Sequence, residues 1–237
     1  VGQLTAIVTP LRYFPLDVLA NEVKRRNRVK VNYIENMYRH EIVNGADDLS
    51  CVGIELGVAK GIFSKRMIDS GKFSSYYGVD LYGDIHDINE YKETLKYVGL
   101  SNNYKLLRMS FDDALDIFDD EFFDFIYIDG FAHTGEEGGK SIADWFCKLK
   151  IGGVLAGDDY HADWPLVVWA VNDFVKKTGL QLTVTRSVES QKYCQYPTWF
   201  VVKEQNIKIE PDETLMKVAM LEKERVHNNR MKRLGSI

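Results

Sequence analysis

A chain of 237 residues, 45% hydrophobic and 27% charged, is long enough to bury its own core and has the make-up of a globular protein. A net charge of −5 without a long basic run argues against a nucleic-acid binder that works by electrostatics. No apolar run is long enough to span a membrane. The three cysteines, Cys51, Cys147 and Cys194, form no CxxC pair; Cys51 and Cys147 sit in apolar patterns that suit buried free thiols, and a reducing, cytoplasmic compartment is expected. A targeting segment ahead of Val1 is left open.

In chain order, apolar residues at three-to-four spacing (Leu16, Leu19, Val23, Val31, Ile34, Met37, Tyr38) predict helix from Pro15 to about Val43. The basic cluster Lys24, Arg25, Arg26, Arg28 and Lys30 interrupts that stripe, and residues 1–49 are expected to form a helical extension or lid. Ser50–Leu56 reads as a short buried strand, and Ile62–Ser70 as the helix that follows. The alternation then repeats. Strands are expected at Ser75–Leu81, Tyr104–Met109, Phe122–Asp129 and Val154–Ala156, and helices at Ile88–Val98, Phe111–Phe118, Gly138–Lys150 and Trp164–Lys177. Leu180–Arg186 and Thr198–Lys203 read as an antiparallel pair that finishes the sheet, and residues 204–237 as a helical tail. Residues 50–203 are thus expected to be a single α/β domain, a Rossmann-like, seven-stranded, mostly parallel sheet with helices on both faces.

In such a sheet ligands bind beyond the carboxyl ends of the strands. Three features fall there. The loop Glu55-Leu56-Gly57-Val58-Ala59-Lys60-Gly61 lacks the dinucleotide spacing G-x-G-x-x-G, and its acid suits a ligand carrying an amino group better than a pyrophosphate. Asp80 ends the next strand, where a carboxylate typically holds a ribose diol. Asp129, Asp158 and Asp159 end the fourth and fifth strands. Three carboxylates brought together repel one another unless protonated or bound to a cation, and oxygen-only ligation favours Mg²⁺, or Mn²⁺ or Ca²⁺. As capping or turn residues, Asp158 and Asp159 would need no ion.

The glycine loop, with Gly78-Val79-Asp80, resembles the first two motifs of class I S-adenosylmethionine-dependent methyltransferases. The segments Ile128-Asp129-Gly130…His133 and Leu149…Gly157-Asp158-Asp159-Tyr160-His161 resemble the metal-dependent macrocin and sugar O-methyltransferases. The resemblance implies that Glu55, Gly57 and Gly61 line the methionine end of the cofactor, that Asp80 holds its ribose, and that Ser110 and Phe111, with Asp112 nearby, border its adenine. It implies a divalent metal on Asp129, Asp158 and Asp159, and a base drawn from His133, His161 or Asp129. An extra residue within Ile128–His133 leaves the register of His133 open, and His161 is the alternative base.

Tyr82, Phe131, Tyr160, Trp164 and Trp199 are candidates for the wall of an acceptor pocket. The expected reaction is methyl transfer to a hydroxyl of a small molecule or glycan, a sugar being favoured over a catechol-like diol. A nicotinamide-dependent oxidoreductase and a non-catalytic cofactor-binding module are the rivals from other classes. The absence of an N/D-P-P-Y segment after the fourth strand argues against methylation of a flipped base. Whether the chain assembles as a homo-oligomer is left open.

Overall fold

The computed structural model describes residues 29–83, 86–186 and 192–234. Eight strands form one sheet in the order β1-β7-β8-β6-β5-β2-β3-β4. They are β1 (Val31–Glu35), β2 (Cys51–Leu56), β3 (Phe73–Asp80), β4 (Tyr104–Arg108), β5 (Phe123–Ile128), β6 (Leu149–Gly157), β7 (Leu182–Arg186) and β8 (Trp199–Val202). All neighbouring pairs run parallel except the two that β8 makes with β6 and β7. The helices are α1 (Ile62–Asp69), α2 (Ile88–Val98), α3 (Phe111–Leu115), α4 (Lys140–Phe146), α5 (Pro165–Thr178) and α6 (Glu213–Leu234). The mostly parallel Rossmann-like sheet is as expected. None of the described helices is long and apolar enough to cross a membrane.

Period-2 alternation explains the two cores. Ile54 and Leu56 of β2 face one helix layer with Ile126, Ile128 and Leu155. The opposite face packs Phe73, Tyr76, Tyr104, Phe125 and Tyr127 against Phe63 and Met67 of α1. Punctuation residues act where the sequence places them. Asp87 caps α2 by accepting from the Asn89 and Glu90 amides at 2.8 and 3.0 Å. Gly179 closes α5 in the left-handed region.

Two stretches differ from the sequence reading. The helix expected to run on to Val43 is instead the edge strand β1 followed by a short 3-10 turn, Arg39–Val43, which makes the sheet eight-stranded; residues 15–28 lie outside the described residues. Val31, Ile34 and Tyr38 fit a helical stripe, but Val-Asn-Tyr-Ile-Glu also suits a pleated edge, and pairing decides. Val31 to Glu35 pair in register with Leu182 to Arg186. Arg186 pins the end, lying 3.8 Å over the Tyr33 ring and 3.0 Å from Glu35 Oε1. Similarly, β6 begins at Leu149, ahead of the Val154 start expected for that strand, and runs through Gly152-Gly153. Gly152 N–H donates to Lys203 O at 2.7 Å and Lys203 N–H to Gly153 O at 2.9 Å, so the ladder with β8 continues through both glycines.

The order in which strands are added reverses between β2, which continues outward through β3 and β4, and its parallel neighbour β5, which continues the other way through β6. That switch point places Gly57 and Asp129 side by side at the carboxyl edge.

Candidate active site

The glycine loop is built into this crevice at close quarters. Gly57 has φ +97°, and a Cβ there would stand 1.9 Å from the Asp129 carbonyl oxygen. The next strand end holds the loop shut. Asp80 Oδ2 accepts from the Val58 and Ala59 amides at 3.0 and 2.9 Å, and Oδ1 from the Tyr82 amide at 3.1 Å. Tyr82 lies beneath the loop, not on an acceptor wall; its hydroxyl donates to Ala59 O at 2.8 Å. Gly61 caps α1, also with positive φ. Ala59 itself has φ +48°, a region that costs an L-residue about 1–2 kcal/mol. Ala59→Gly is therefore expected to stabilise the fold by about 0.5–1 kcal/mol after the larger chain entropy of glycine is subtracted. Chemical denaturation checks this, and a loss of stability would refute it.

Glu55 is deeply buried, its carboxyl accepting a hydrogen bond from Ser64, whose hydroxyl oxygen accepts from Tyr104 at 3.1 Å. Burial pushes its pKa well above the ordinary carboxylate range, against the Ser64 bond. The period of β2 turns its side chain toward α1, where it lies under the loop and also borders the cleft.

A cavity of about 450 Å³ opens over the loop, lined by Gly57, Ala59, Asp80, Met109, Ser110, Phe111, Asp112, Asp129, Gly130 and Phe131, with Glu137 and Lys223 at its rim. A second, of about 410 Å³, shares Gly57, Ala59, His86, Asp129 and Gly130 with it and adds Arg39, Glu55, Phe63, His133 and Asp159. The two form one cleft along the switch point. Ser110 caps α3, Phe111 packs edge-on to Phe131 with centroids 5.1 Å apart, and Asp112 is paired with Lys140 at 2.7 Å.

At the second cavity the acids meet an unforeseen partner. Arg39 Nη1 donates to Asp158 Oδ2 at 2.7 Å and to Asp129 Oδ2 at 3.1 Å. Its guanidinium lies 4.4 Å from the Tyr193 ring centroid and 5.4 Å from that of Phe63. Asp129 and Asp158 follow the cross-strand partners Ile128 and Gly157, which is why one cation reaches both. Burial, and then the Asp129 charge, push Asp158 upward, Arg39 opposing. Asp159 (φ +64°) lines the cavity wall, and its carboxyl is pushed up to about 7 by burial and by Asp129, again against Arg39.

Among the described residues no three His, Cys, Asp or Glu side chains gather as a metal-holding group. The oxygens of Asp129 and Asp158 that would converge on an ion converge on a guanidinium. The divalent ion expected on Asp129, Asp158 and Asp159 does not fit this arrangement, since a fixed positive charge already stands between two of its three ligands.

The two histidines part company. His133 borders the cleft and also a third cavity, of about 320 Å³, with Trp164 and Tyr196; its ring meets Trp164 edge-on at 4.9 Å. His161 turns toward Asp163, 3.4 Å away, and Tyr196, and lies off the three cavities. Of the other aromatic candidates, Trp199 is core, and Tyr160 is held by Asn172 at 2.8 Å.

After His133 the chain makes a left-handed turn, Gly135 to Gly139, with φ between +54° and +86° at five successive residues, Glu136 and Glu137 among them. The turn wedges between α5 and α6: a Cβ on Gly135 would lie 2.4 Å from Leu166 O. Such strain persists only where surroundings over-determine it. Here it aims Glu137 at Lys223 of α6, 2.7 Å away on the cleft rim, and buries Glu136, whose carboxyl burial lifts to about 8. Arg39, Tyr193, Glu137 and Lys223 carry no sequence signal; only the fold brings them to the site.

The fold, the switch-point cleft and the locked glycine loop define a class. Residues 54–160 match the model of a family described as a methyltransferase domain. A Klebsiella pneumoniae protein described as an O-methyltransferase superposes with a TM-score of 0.53 at 15% identity, over 83% of this chain and 93% of that one. Cofactor-bound Rv0187 from MTB gives 0.52 at 12%, over 84% and 94%. The CurJ carbon methyltransferase gives 0.50 at 13%, over 69% and 51%. At these identities the likenesses speak for the fold. No curated protein matches the chain. Over residues 54–160 the chain thus resembles a methyltransferase domain, on a fold it shares with these structures.

Proposed function

We propose that the protein moves a methyl group from S-adenosylmethionine to a hydroxyl oxygen of a small molecule or glycan, with a sugar as the favoured acceptor. The observation that carries this reading is the single cleft that runs from Asp80, Ser110 and Phe111, past Gly57, to His133 and Asp159. Its inner part suits the nucleoside: Met109, Phe111 and Phe131 are apolar walls, and Gly57 and Gly130 bring bare backbone to the cavity. Asp80 would hold the ribose with the accepting capacity left after its three loop bonds.

The cofactor, when bound, supplies an activated methyl on a sulfonium sulfur that takes the electron pair as the acceptor oxygen displaces it. The chain's contribution is alignment and proton removal. Asp159 is placed for the second task, on the cleft wall with a carboxyl poised near neutrality. His133 stands across the same cavity and is the other base. His133, Trp164 and Tyr196, with Arg225 on the rim, offer an aromatic platform for a ring-shaped acceptor. A catechol-like diol would use the same platform and is the second reading. The metal-assisted version of this reaction is set aside because Arg39 holds the acids.

Calorimetry with S-adenosylmethionine and NADH, followed by a radiolabelled methyl-transfer screen of sugars and catechols, tests the proposal. Binding of NADH with no response to S-adenosylmethionine would end it. If Asp159 is the base, kcat/KM falls about tenfold per pH unit below about 7, as its carboxyl takes up a proton. Asp159→Asn should remove that acid limb while leaving cofactor affinity intact. An unchanged pH profile would shift the role to His133.

A further inference from the structure

We propose that the Arg39 guanidinium is the resident cation of this site, standing where its acids would otherwise gather a divalent metal, so that Arg39 is the positioning residue of a metal-free cleft. The inference rests on the methyltransferase reading of that cleft. One nitrogen, Nη1, takes an oxygen from each of Asp129 and Asp158, at 3.1 and 2.7 Å. These carboxylates leave neighbouring parallel strands at paired positions, so their convergence is built into the sheet. Asp158 is braced from behind: Thr198 Oγ1 donates to its other oxygen at 3.3 Å, and Tyr127 holds Thr198 at 3.1 Å.

The cation is fixed as firmly as its ligands. Arg39 opens the 3-10 turn after the edge strand, and its guanidinium faces Phe63 and Tyr193. The Tyr193 ring in turn has Arg66 4.1 Å from its centroid, and its hydroxyl meets His40 Nδ1 at 3.2 Å. A guanidinium whose Nη1 is shared by two acids and whose plane is faced by aromatic rings is not a mobile counter-ion that a metal could displace. A divalent ion would have to draw the same oxygens in to about 2.0–2.6 Å with a full positive charge beside it. Arg39 also lines the cavity, so the fixed charge faces the space bordered by Gly57, His133 and Asp159.

The test uses the full chain without substrate. Mn²⁺ is titrated into the wild type and into Arg39→Ala, with uptake followed by the loss of the free-ion EPR signal. We expect no uptake by the wild type, and one Mn²⁺ bound by Arg39→Ala with a rise in its Tm, abolished when Asp158→Asn is added. Arg39→Lys, which keeps the charge, should stay metal-free. Stoichiometric Mn²⁺ binding by the wild type would overturn the proposal, as would a folded Arg39→Ala that takes up none. Should Arg39→Ala not fold, the wild-type and Arg39→Lys titrations decide by the same criterion. Calorimetry with S-adenosylmethionine on the same samples is read separately. Its failure would remove the methyltransferase reading while the Mn²⁺ result still judged the cation.

Discussion

Gly57→Ala is expected to destroy S-adenosylmethionine binding, by a factor on the order of 100 or more, and to destabilise the fold by about 3 kcal/mol. Two costs add at this position. The backbone stands at φ +97°, and the new methyl would meet the Asp129 carbonyl oxygen at 1.9 Å. That oxygen belongs to the main chain at the end of β5, tied in by the Asp129 amide donating to Leu56 O at 2.8 Å, so it cannot swing away as a side chain could. The loop must move instead, carrying with it the Val58 and Ala59 amides that Asp80 holds. Gly71→Ala isolates the first cost, because Gly71 has φ +71° and nothing within 4 Å of its added Cβ. It should lose only about 1 kcal/mol and bind the cofactor normally. Urea denaturation and calorimetry on both variants make the comparison; equal losses would mean that the close approach is not what matters.

Arg39→Met is expected to cost about 3–5 kcal/mol at pH 8, because it leaves two half-buried carboxyls without their counter-charge. The deficit should shrink as pH falls. Asp129 and Asp158 already have their pKa raised by burial, and losing the guanidinium, which lowers both, raises them further. An acid whose folded pKa lies above its unfolded one favours the fold at low pH and loses that contribution as pH rises through the folded value. The gap between variant and wild type therefore opens upward from pH 5 to pH 8. Urea midpoints at those two values test it, and a deficit equal at both would show that packing against Tyr193, not charge, is what Arg39 provides.

The legible parts of this molecule are those with local causes. Alternating apolar segments, the Asp87 cap and the glycines after helices place strands and helices from Cys51 onward close to where they lie. The segment ahead of Cys51 was illegible for a physical reason. Residues 31–35 satisfy both a helical and a pleated pattern, and their partner strand is about 150 residues away. Separation also hides Arg39, whose acid partners lie 90 and 119 residues on and which nothing in Met-Tyr-Arg-His-Glu distinguishes from a surface arginine.

Gly57, Asp80, Ser110, Phe111, Asp129, His133 and Asp159 reach one cleft because each sits at or just beyond a strand's carboxyl end, where sequence and topology agree. What the chain by itself determined is therefore the class of fold and the edge at which its cleft opens, both of which follow from periodicity and from where the strands end. Only the tertiary structure decided what the acids there do. It buried Glu55 against Ser64, bound Asp80 to the loop it faces, separated His133 from His161, and set a guanidinium between Asp129 and Asp158. A residue's charge state and partner depend on burial and on neighbours remote in sequence, and those are set when the sheet closes, not by local pattern.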